Sequence, residues 1–216
     1  MTEAAGSDAV PAPPTPEPSL GRAALVGAAG FGAASLAVFA TVAFAERWMY
    51  ENLGVGGAYA AWTALFVLLG GAALWPLADR SRTTMARFYA RFALAFAAYA
   101  AAWVAAYFVV RGPAGEWLGA LAGALALGAV LAAGNGPARQ WASAATRLGA
   151  ILFAAHCAGY FAGAALDPVV GRPAGMLLWG ALYGVCLGAG LGVSLWLLRR
   201  RAAAPRARLP SADPQG

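Results

Sequence analysis

Lysine is absent from the 216 residues, histidine occurs once and cysteine twice, and only 11% of the side chains are charged. Without lysine the chain has no P-loop, whose motif ends in GK[ST], and no residue for Schiff-base chemistry. One histidine excludes the HExxH zinc motif, and with two cysteines it falls short of the four ligands of a structural zinc. We therefore expect no metal, no cofactor and no catalytic residues, and a protein that is not an enzyme.

Apolar side chains dominate what is present. Hydrophobic residues make up 61% of the chain, and the mean hydropathy is +0.64. A water-soluble domain of this length cannot bury so much apolar surface, so lipid must cover the excess. Each of the long apolar stretches can cross about 30 Å of hydrocarbon. The sequence predicts an all-α bundle of six transmembrane helices, at about 23–45, 55–78, 88–110, 114–134, 148–166 and 174–198.

Proline marks the two ends of the chain. Five prolines fall within residues 11–18, and three more follow residue 204. Segments of this composition cannot bury a packed core. We predict disordered tails at 1–21 and 200–216, on either side of a transmembrane domain at 22–199.

The arginines predict an orientation. If the six stretches alternate in direction, only Arg47, Arg111 and Arg172 fall on one side and the other twelve arginines fall on the opposite side. Basic loops stay in the cytoplasm, so we expect both termini there and a multi-pass protein of the cell's inner membrane. The five arginines after the last stretch are typical of contact with anionic headgroups. We therefore expect the lipid bilayer, and not nucleic acid, as the partner of this positive charge.

Other charges near the cytoplasmic ends of the stretches have local interpretations. Arg87 and Arg91 are one helical turn apart, and we expect both side chains to extend along the helix toward the headgroups. Asp79 adjoins Arg80 and is three residues from Arg82, so we expect a local ion pair there.

Glycine recurs at intervals of four in two of the stretches. The longer stripe consists of Gly180, Gly184, Gly188 and Gly192, and the shorter of Gly115, Gly119 and Gly123. Glycine stripes let helix backbones approach closely in lipid. Two interpretations stay open: the stripes pack inside the bundle, or one faces lipid and receives a second copy of the chain or another membrane subunit.

His156 lies in the middle of the fifth stretch. Tyr160 follows one turn later, Cys157 is adjacent, and Cys186 lies at a similar depth in the sixth stretch. An ionisable residue within a span is a candidate functional site. The four residues form either a structural hydrogen-bonded patch or a site for a solute or a proton.

Two functions agree with these patterns. The first is a compact non-enzymatic membrane subunit that packs through its glycine-striped helices. The second is a small-solute carrier, or the substrate-binding subunit of a transporter, in which Pro113–Gly115 and Pro173–Gly175 mark repeated hairpins. A carrier predicts a polar cavity that reaches from the outer side to His156. An assembly subunit predicts a solid interior and a glycine groove that faces lipid.

The predicted orientation can be tested with an epitope tag fused to either terminus. We expect an impermeant reagent to reach both tags only after the membrane is permeabilised, because both ends are cytoplasmic. Labelling of either tag on intact cells would contradict the predicted topology.

Overall fold

The computed structural model describes residues 18–133 and 138–203, and every regular element in these ranges is a helix. The long helices are α1 (Leu20–Leu65), α3 (Met85–Val110), α4 (Gly112–Ala132), α5 (Ala138–Val170) and α6 (Ala174–Ala203). Between α1 and α3 the chain forms a π-helical turn (Phe66–Gly70), the short helix α2 (Gly71–Leu74) and a 3₁₀ turn (Trp75–Leu77). Most of the two predicted tails lies outside the described residues, although α6 continues past residue 200.

In the part of the chain that the structure describes, five helical segments are long and apolar enough to cross a membrane: Leu20–Leu77, Met85–Val110, Gly112–Ala132, Gln140–Val170 and Ala174–Ala202. The predicted all-α, multi-pass membrane fold is therefore confirmed. The first segment contains both of the stretches that were predicted as separate spans at 23–45 and 55–78.

The first segment reverses direction at Gly54. The φ of this residue is 66° and its ψ is 173°, a combination that interrupts the helix and favours glycine. Residues that precede Gly54 contact residues that follow it. Trp62 Nε1 donates a hydrogen bond to Thr41 Oγ1 at 3.0 Å, and the Phe31 ring stacks on the Phe66 ring with 5.7 Å between centroids. Residues 20–53, the first arm, therefore run antiparallel to residues 55–77, the second arm.

Short polar side chains begin two of the helices. Ser19 Oγ accepts a hydrogen bond from the backbone N–H of Arg22, and Thr84 Oγ1 accepts one from Arg87. Both residues are N-caps, which satisfy N–H groups that have no partner within the helix. These caps fix where α1 and α3 start.

Neighbouring helices pack antiparallel through small residues. Gly119 of α4 lies against Trp103 of α3, and Gly128 of α4 lies against Gly149 of α5. A further contact joins Gly159 of α5 to α6. The first arm also packs along α6, so the first and last long segments of the chain are in contact.

Both glycine stripes lie against helices of the same chain. On α6 the residues opposite the stripe, from Gly180 to Gly192, are Phe39, Ser35, Gly27 and Ala23 of the first arm. On α4 the residues opposite Gly115, Gly119 and Gly123 are Tyr107, Trp103 and Tyr99 of α3. The groove on α6 is therefore filled by the first arm.

Aromatic rings fill the core between the two arms and α3. Phe96 lies 6.0 Å from Phe31, 5.2 Å from Phe66 and 5.9 Å from Phe92, measured between ring centroids. Phe31, Phe92 and Phe96 are almost completely buried. We call these four rings the phenylalanine cluster. It occupies the bundle centre between the two sites described below.

Substitution of Gly188 by leucine tests the contact between the first arm and α6. A Cβ at this position would collide with the Gly27 carbonyl oxygen and would lie 2.8 Å from Phe31 Cβ. We expect the substitution to lower the free energy of unfolding by about 2 kcal/mol or more, measured in detergent, because the backbones must separate. The control is Gly21→Leu, where no atom lies within 4 Å. Equal stability of the two variants would contradict a packing role for this stripe.

Candidate functional site

A buried hydrogen-bonded network joins three helices near the middle of the bundle. Tyr99 Oη of α3 lies 2.8 Å from His156 Nδ1 of α5 and 2.8 Å from Tyr183 Oη of α6. The Tyr99 hydroxyl has a single proton, so it donates to one of these neighbours and accepts from the other. His156 is only 1% exposed. The network therefore supplies a partner for the one histidine at a depth where water is excluded.

The predicted polar patch is only partly the same set of residues. The Tyr160 ring stacks on His156 at 5.2 Å, whereas Cys157 and Cys186 are free, partly buried thiols. The predicted patch omitted Tyr99, which is the hydrogen-bonding partner of His156, and Tyr183, which bonds Tyr99 in turn. One signal was present, because Tyr99 is the central residue of the predicted span 88–110 and so matches His156 in depth.

Three buried nitrogen atoms around Tyr160 have no hydrogen-bond partner among the described residues. They are His156 Nε2, Trp103 Nε1 and Trp179 Nε1. Both tryptophan rings contact the Tyr160 ring, at 5.9 Å and 5.2 Å between centroids. Each buried polar group without a partner lowers the stability of the fold by about 1–3 kcal/mol. These nitrogen atoms would therefore be unfavourable if they served only to pack the helices.

Aromatic and charged contacts lie between this network and the end of the bundle where α6 begins. Trp179 contacts Phe39 at 6.1 Å, and it precedes Tyr183 by one helical turn. Nearer that end, Arg172 Nη1 and Glu46 Oε2 form an ion pair at 2.9 Å. This pair joins the first arm to the turn between α5 and α6.

A cavity of about 720 Å³ opens at the opposite end of the bundle, where α6 ends. Its volume lies within the range of small-molecule sites. Five arginines and one aspartate line the cavity: Arg82, Arg87, Arg91, Arg199, Arg201 and Asp79. They come from the segment before α3, from α3 and from α6. We call this the arginine cavity.

Two of these arginines hold the cavity wall together. Arg82 Nε lies 3.4 Å from Asp79 Oδ2, and its guanidinium also donates to the carbonyl oxygen of Ala202. Arg199 Nη1 donates to the Leu77 carbonyl oxygen at 3.4 Å. These contacts fasten the segment before α3 to the end of α6.

Other arginines of the cavity remain available. The Arg87 and Arg201 guanidinium groups form no hydrogen bond or ion pair within residues 18–133 and 138–203. Both face the cavity beside the positive charge of their neighbours. The side chains of Arg87 and Arg91 line this cavity, and their extension toward the headgroups stays a prediction.

Asp79 keeps its negative charge in this setting. Burial raises its pKa, but hydrogen bonds from the Ser81 hydroxyl at 2.6 Å and backbone N–H at 3.1 Å, with the charges of Arg199 and Arg82, outweigh that effect. The pKa of the carboxyl group is therefore below its ordinary value. Arg82 forms the predicted ion pair, while Arg80 lies over the Trp75 ring at 5.3 Å.

Substitution of Tyr99 by phenylalanine tests the buried network. We expect Tyr99→Phe to lower the free energy of unfolding by about 1–3 kcal/mol, because His156 Nδ1 and the Tyr183 hydroxyl lose their shared partner. The matched control is Tyr89→Phe, which removes one hydrogen bond, to the Leu68 carbonyl oxygen at 3.2 Å. Chemical unfolding in detergent measures both variants. A cost for Tyr99→Phe no larger than that for Tyr89→Phe would contradict the network's contribution.

Comparisons with family models, with curated proteins and with solved structures find no match for this chain. Within the described ranges, no three His, Cys, Asp or Glu side chains form a group that could hold a metal ion. The function of this chain must therefore be inferred from the side chains of the arginine cavity and of the buried network.

Proposed function

We propose that this chain is a non-enzymatic subunit of the inner membrane that binds an anionic ligand in the arginine cavity. In this proposal the chain has six spans, and both termini lie in the cytoplasm. The observation that carries the binding function is that guanidinium groups from separate elements meet in one cavity, where the described residues supply a single carboxylate.

The reversal at Gly54 supports six spans. The second arm, residues 55–77, extends about 35 Å at the ordinary rise of an α-helix and can cross the hydrocarbon core. Contacts from Phe31 to Phe66 and from Thr41 to Trp62 hold it along the first arm. The cluster of arginines at the cavity end supports a cytoplasmic location for that end.

The charge of the cavity supports an anionic ligand. Cations that line a concave, partly apolar wall focus the electric field and raise the local concentration of anions. Asp79 interacts with Arg82 and Arg199, which leaves the guanidinium groups of Arg87 and Arg201 without a carboxylate partner among the described residues. A bound anion would reduce the repulsion among the remaining arginines.

Binding fits these residues better than catalysis does. A guanidinium group stays protonated in proteins and cannot act as a general base. Asp79, the only acid among the described residues that line the cavity, has a lowered pKa and is ionised at neutral pH. The titratable groups that line the cavity therefore supply fixed charge and not proton transfer.

The packing of the glycine stripes bears on the assembly of the proposed subunit. Gly184 and Gly188 are covered by Ser35, Phe31 and Gly27 of the same chain. A partner subunit would therefore have to contact a different surface. The proposed function rests on ligand binding and not on the stripes as an intermolecular interface.

A small-solute carrier is the second candidate function, and the buried network favours it. His156 Nε2, Trp103 Nε1 and Trp179 Nε1 surround Tyr160 without partners among the described residues. Groups of this kind can bind the polar atoms of a solute. In the present conformation the phenylalanine cluster lies between these groups and the arginine cavity, so passage would require Phe92 and Phe96 to move.

The anion-binding function is tested with the variant Arg87→Gln/Arg201→Gln. We expect inorganic phosphate to raise the melting temperature of the wild-type protein above that in sodium chloride of equal ionic strength. The double variant should lose most of this increase, because the two uncommitted guanidinium groups are gone. Thermal unfolding of the detergent-purified protein measures both effects.

The control for this test is Arg22→Gln/Arg80→Gln, which removes the same charge from residues that do not line the cavity. It should respond to phosphate as the wild type does. An equal loss in both double variants would assign the effect to net charge and would contradict a specific site.

A further inference from the structure

We infer that the ligand of the arginine cavity is a phosphate ester attached to an apolar body. This inference rests on the proposed anion-binding function and specifies the chemical class of the ligand. It depends on two features of the same cavity: the arrangement of its arginines and the apolar side chains beside them.

The arginines favour an oxyanion with several acceptor oxygens. Each guanidinium presents a planar set of N–H donors that binds two oxygens of a phosphate group at once. The guanidinium groups of Arg87 in α3 and Arg201 in α6 form no hydrogen bond or ion pair with the described residues. A phosphate group can accept from two such residues on different helices, because its oxygens point in different directions.

The rest of the cavity wall favours an apolar body next to that phosphate. Aromatic and aliphatic side chains line it together with the arginines: Leu77, Phe88, Phe92, Leu131, Trp141 and Leu195. The polar nitrogen of Trp141 is already used, since Nε1 donates to the Ala129 carbonyl oxygen at 3.0 Å. Its ring therefore offers apolar surface. A cavity of about 720 Å³ is far larger than a phosphate ion alone requires.

Two sources can supply this chemistry. The cavity lies where α6 and the segment before α3 meet at the end of the bundle. In the proposed topology this end lies at the depth of the lipid headgroups. An anionic phospholipid would enter from the bilayer with its phosphodiester among the arginines. A soluble phosphate ester would enter from the aqueous side. Both would place a phosphate on Arg87 and Arg201 and an apolar group against Phe88 and Trp141.

The test compares ligands on the full-length protein, purified in neutral detergent and stripped of lipid. The soluble probes are phenyl phosphate, benzoate and inorganic phosphate, measured by calorimetry at constant ionic strength. The lipid probes are phosphatidylglycerol and phosphatidylcholine, measured by native mass spectrometry. We expect phenyl phosphate to bind at least tenfold more tightly than either inorganic phosphate or benzoate. We also expect phosphatidylglycerol to be retained in preference to phosphatidylcholine if the bilayer is the source.

The double variants make the result specific. Arg87→Gln/Arg201→Gln should weaken phenyl phosphate at least tenfold, because the two guanidinium groups proposed to bind the phosphate are gone. Arg22→Gln/Arg80→Gln should stay within twofold of the wild type. If phenyl phosphate binds tightly but phosphatidylglycerol is not selectively retained, the inference is supported and the ligand is a soluble phosphate ester.

Other outcomes separate the inference from the function on which it rests. If inorganic phosphate binds as tightly as phenyl phosphate, the apolar body is wrong and the anion-binding function stands. If benzoate binds as tightly as phenyl phosphate, the phosphate assignment is wrong and the function again stands. If none of the anions binds, or if both double variants lose binding equally, the inference and the proposed function both fail.

Discussion

The close backbone contact between the first arm and α6 is the interaction on which the rest of the bundle depends. Lipid is as apolar as the helix surfaces, so burial from water gives no drive for helices to associate, and close packing must supply it. Gly188 and Gly192 bring α6 against Gly27 and Ala23. The Ser35 hydroxyl then donates to the Gly180 carbonyl oxygen at 2.8 Å, which fixes the register of the two helices. A side chain at any of these glycines would separate the backbones and lose these contacts together.

The arginine cavity is a consequence of that contact. Once α6 is fixed against the first arm, its end lies beside the segment that leads from the second arm to α3. Arg199 then reaches the Leu77 carbonyl oxygen and Arg82 reaches that of Ala202, so each element binds a backbone oxygen of the other. Asp79 neutralises only part of the charge that this brings together. The net charge of the cavity therefore stays positive. Helix packing, and not a local sequence motif, determines which arginines come together in it.

The sequence predicted the features that depend on composition and on spacing along one helix. Hydropathy predicted the apolar stretches, and the interval of four in Gly180–Gly192 predicted a packing surface. Which side chains of different helices face one another depends on how each helix is rotated about its axis, and composition and spacing do not specify this. Tyr99 and Tyr183 matched His156 in depth, but the sequence does not specify that both turn toward it. Arg87 and Arg91 had a local interpretation as side chains that extend toward the headgroups, and the sequence does not specify that the arginines of α6 lie beside them in one cavity.

The phenylalanine cluster separates the arginine cavity from the buried network around His156, and so determines whether a ligand can pass from one to the other. Phe92 contributes to the arginine cavity on one side and contacts Phe96 on the other, and Phe96 lies 5.4 Å from Tyr99 of the buried network. Phe92 and Phe96 are each 2% exposed. Opening a path between the cavity and His156 would separate close-packed rings and expose their surfaces, which costs several kcal/mol for side chains of this size. Binding an anion in the cavity requires no such opening. The packing therefore favours a ligand that remains at the end of the bundle over one that passes through it.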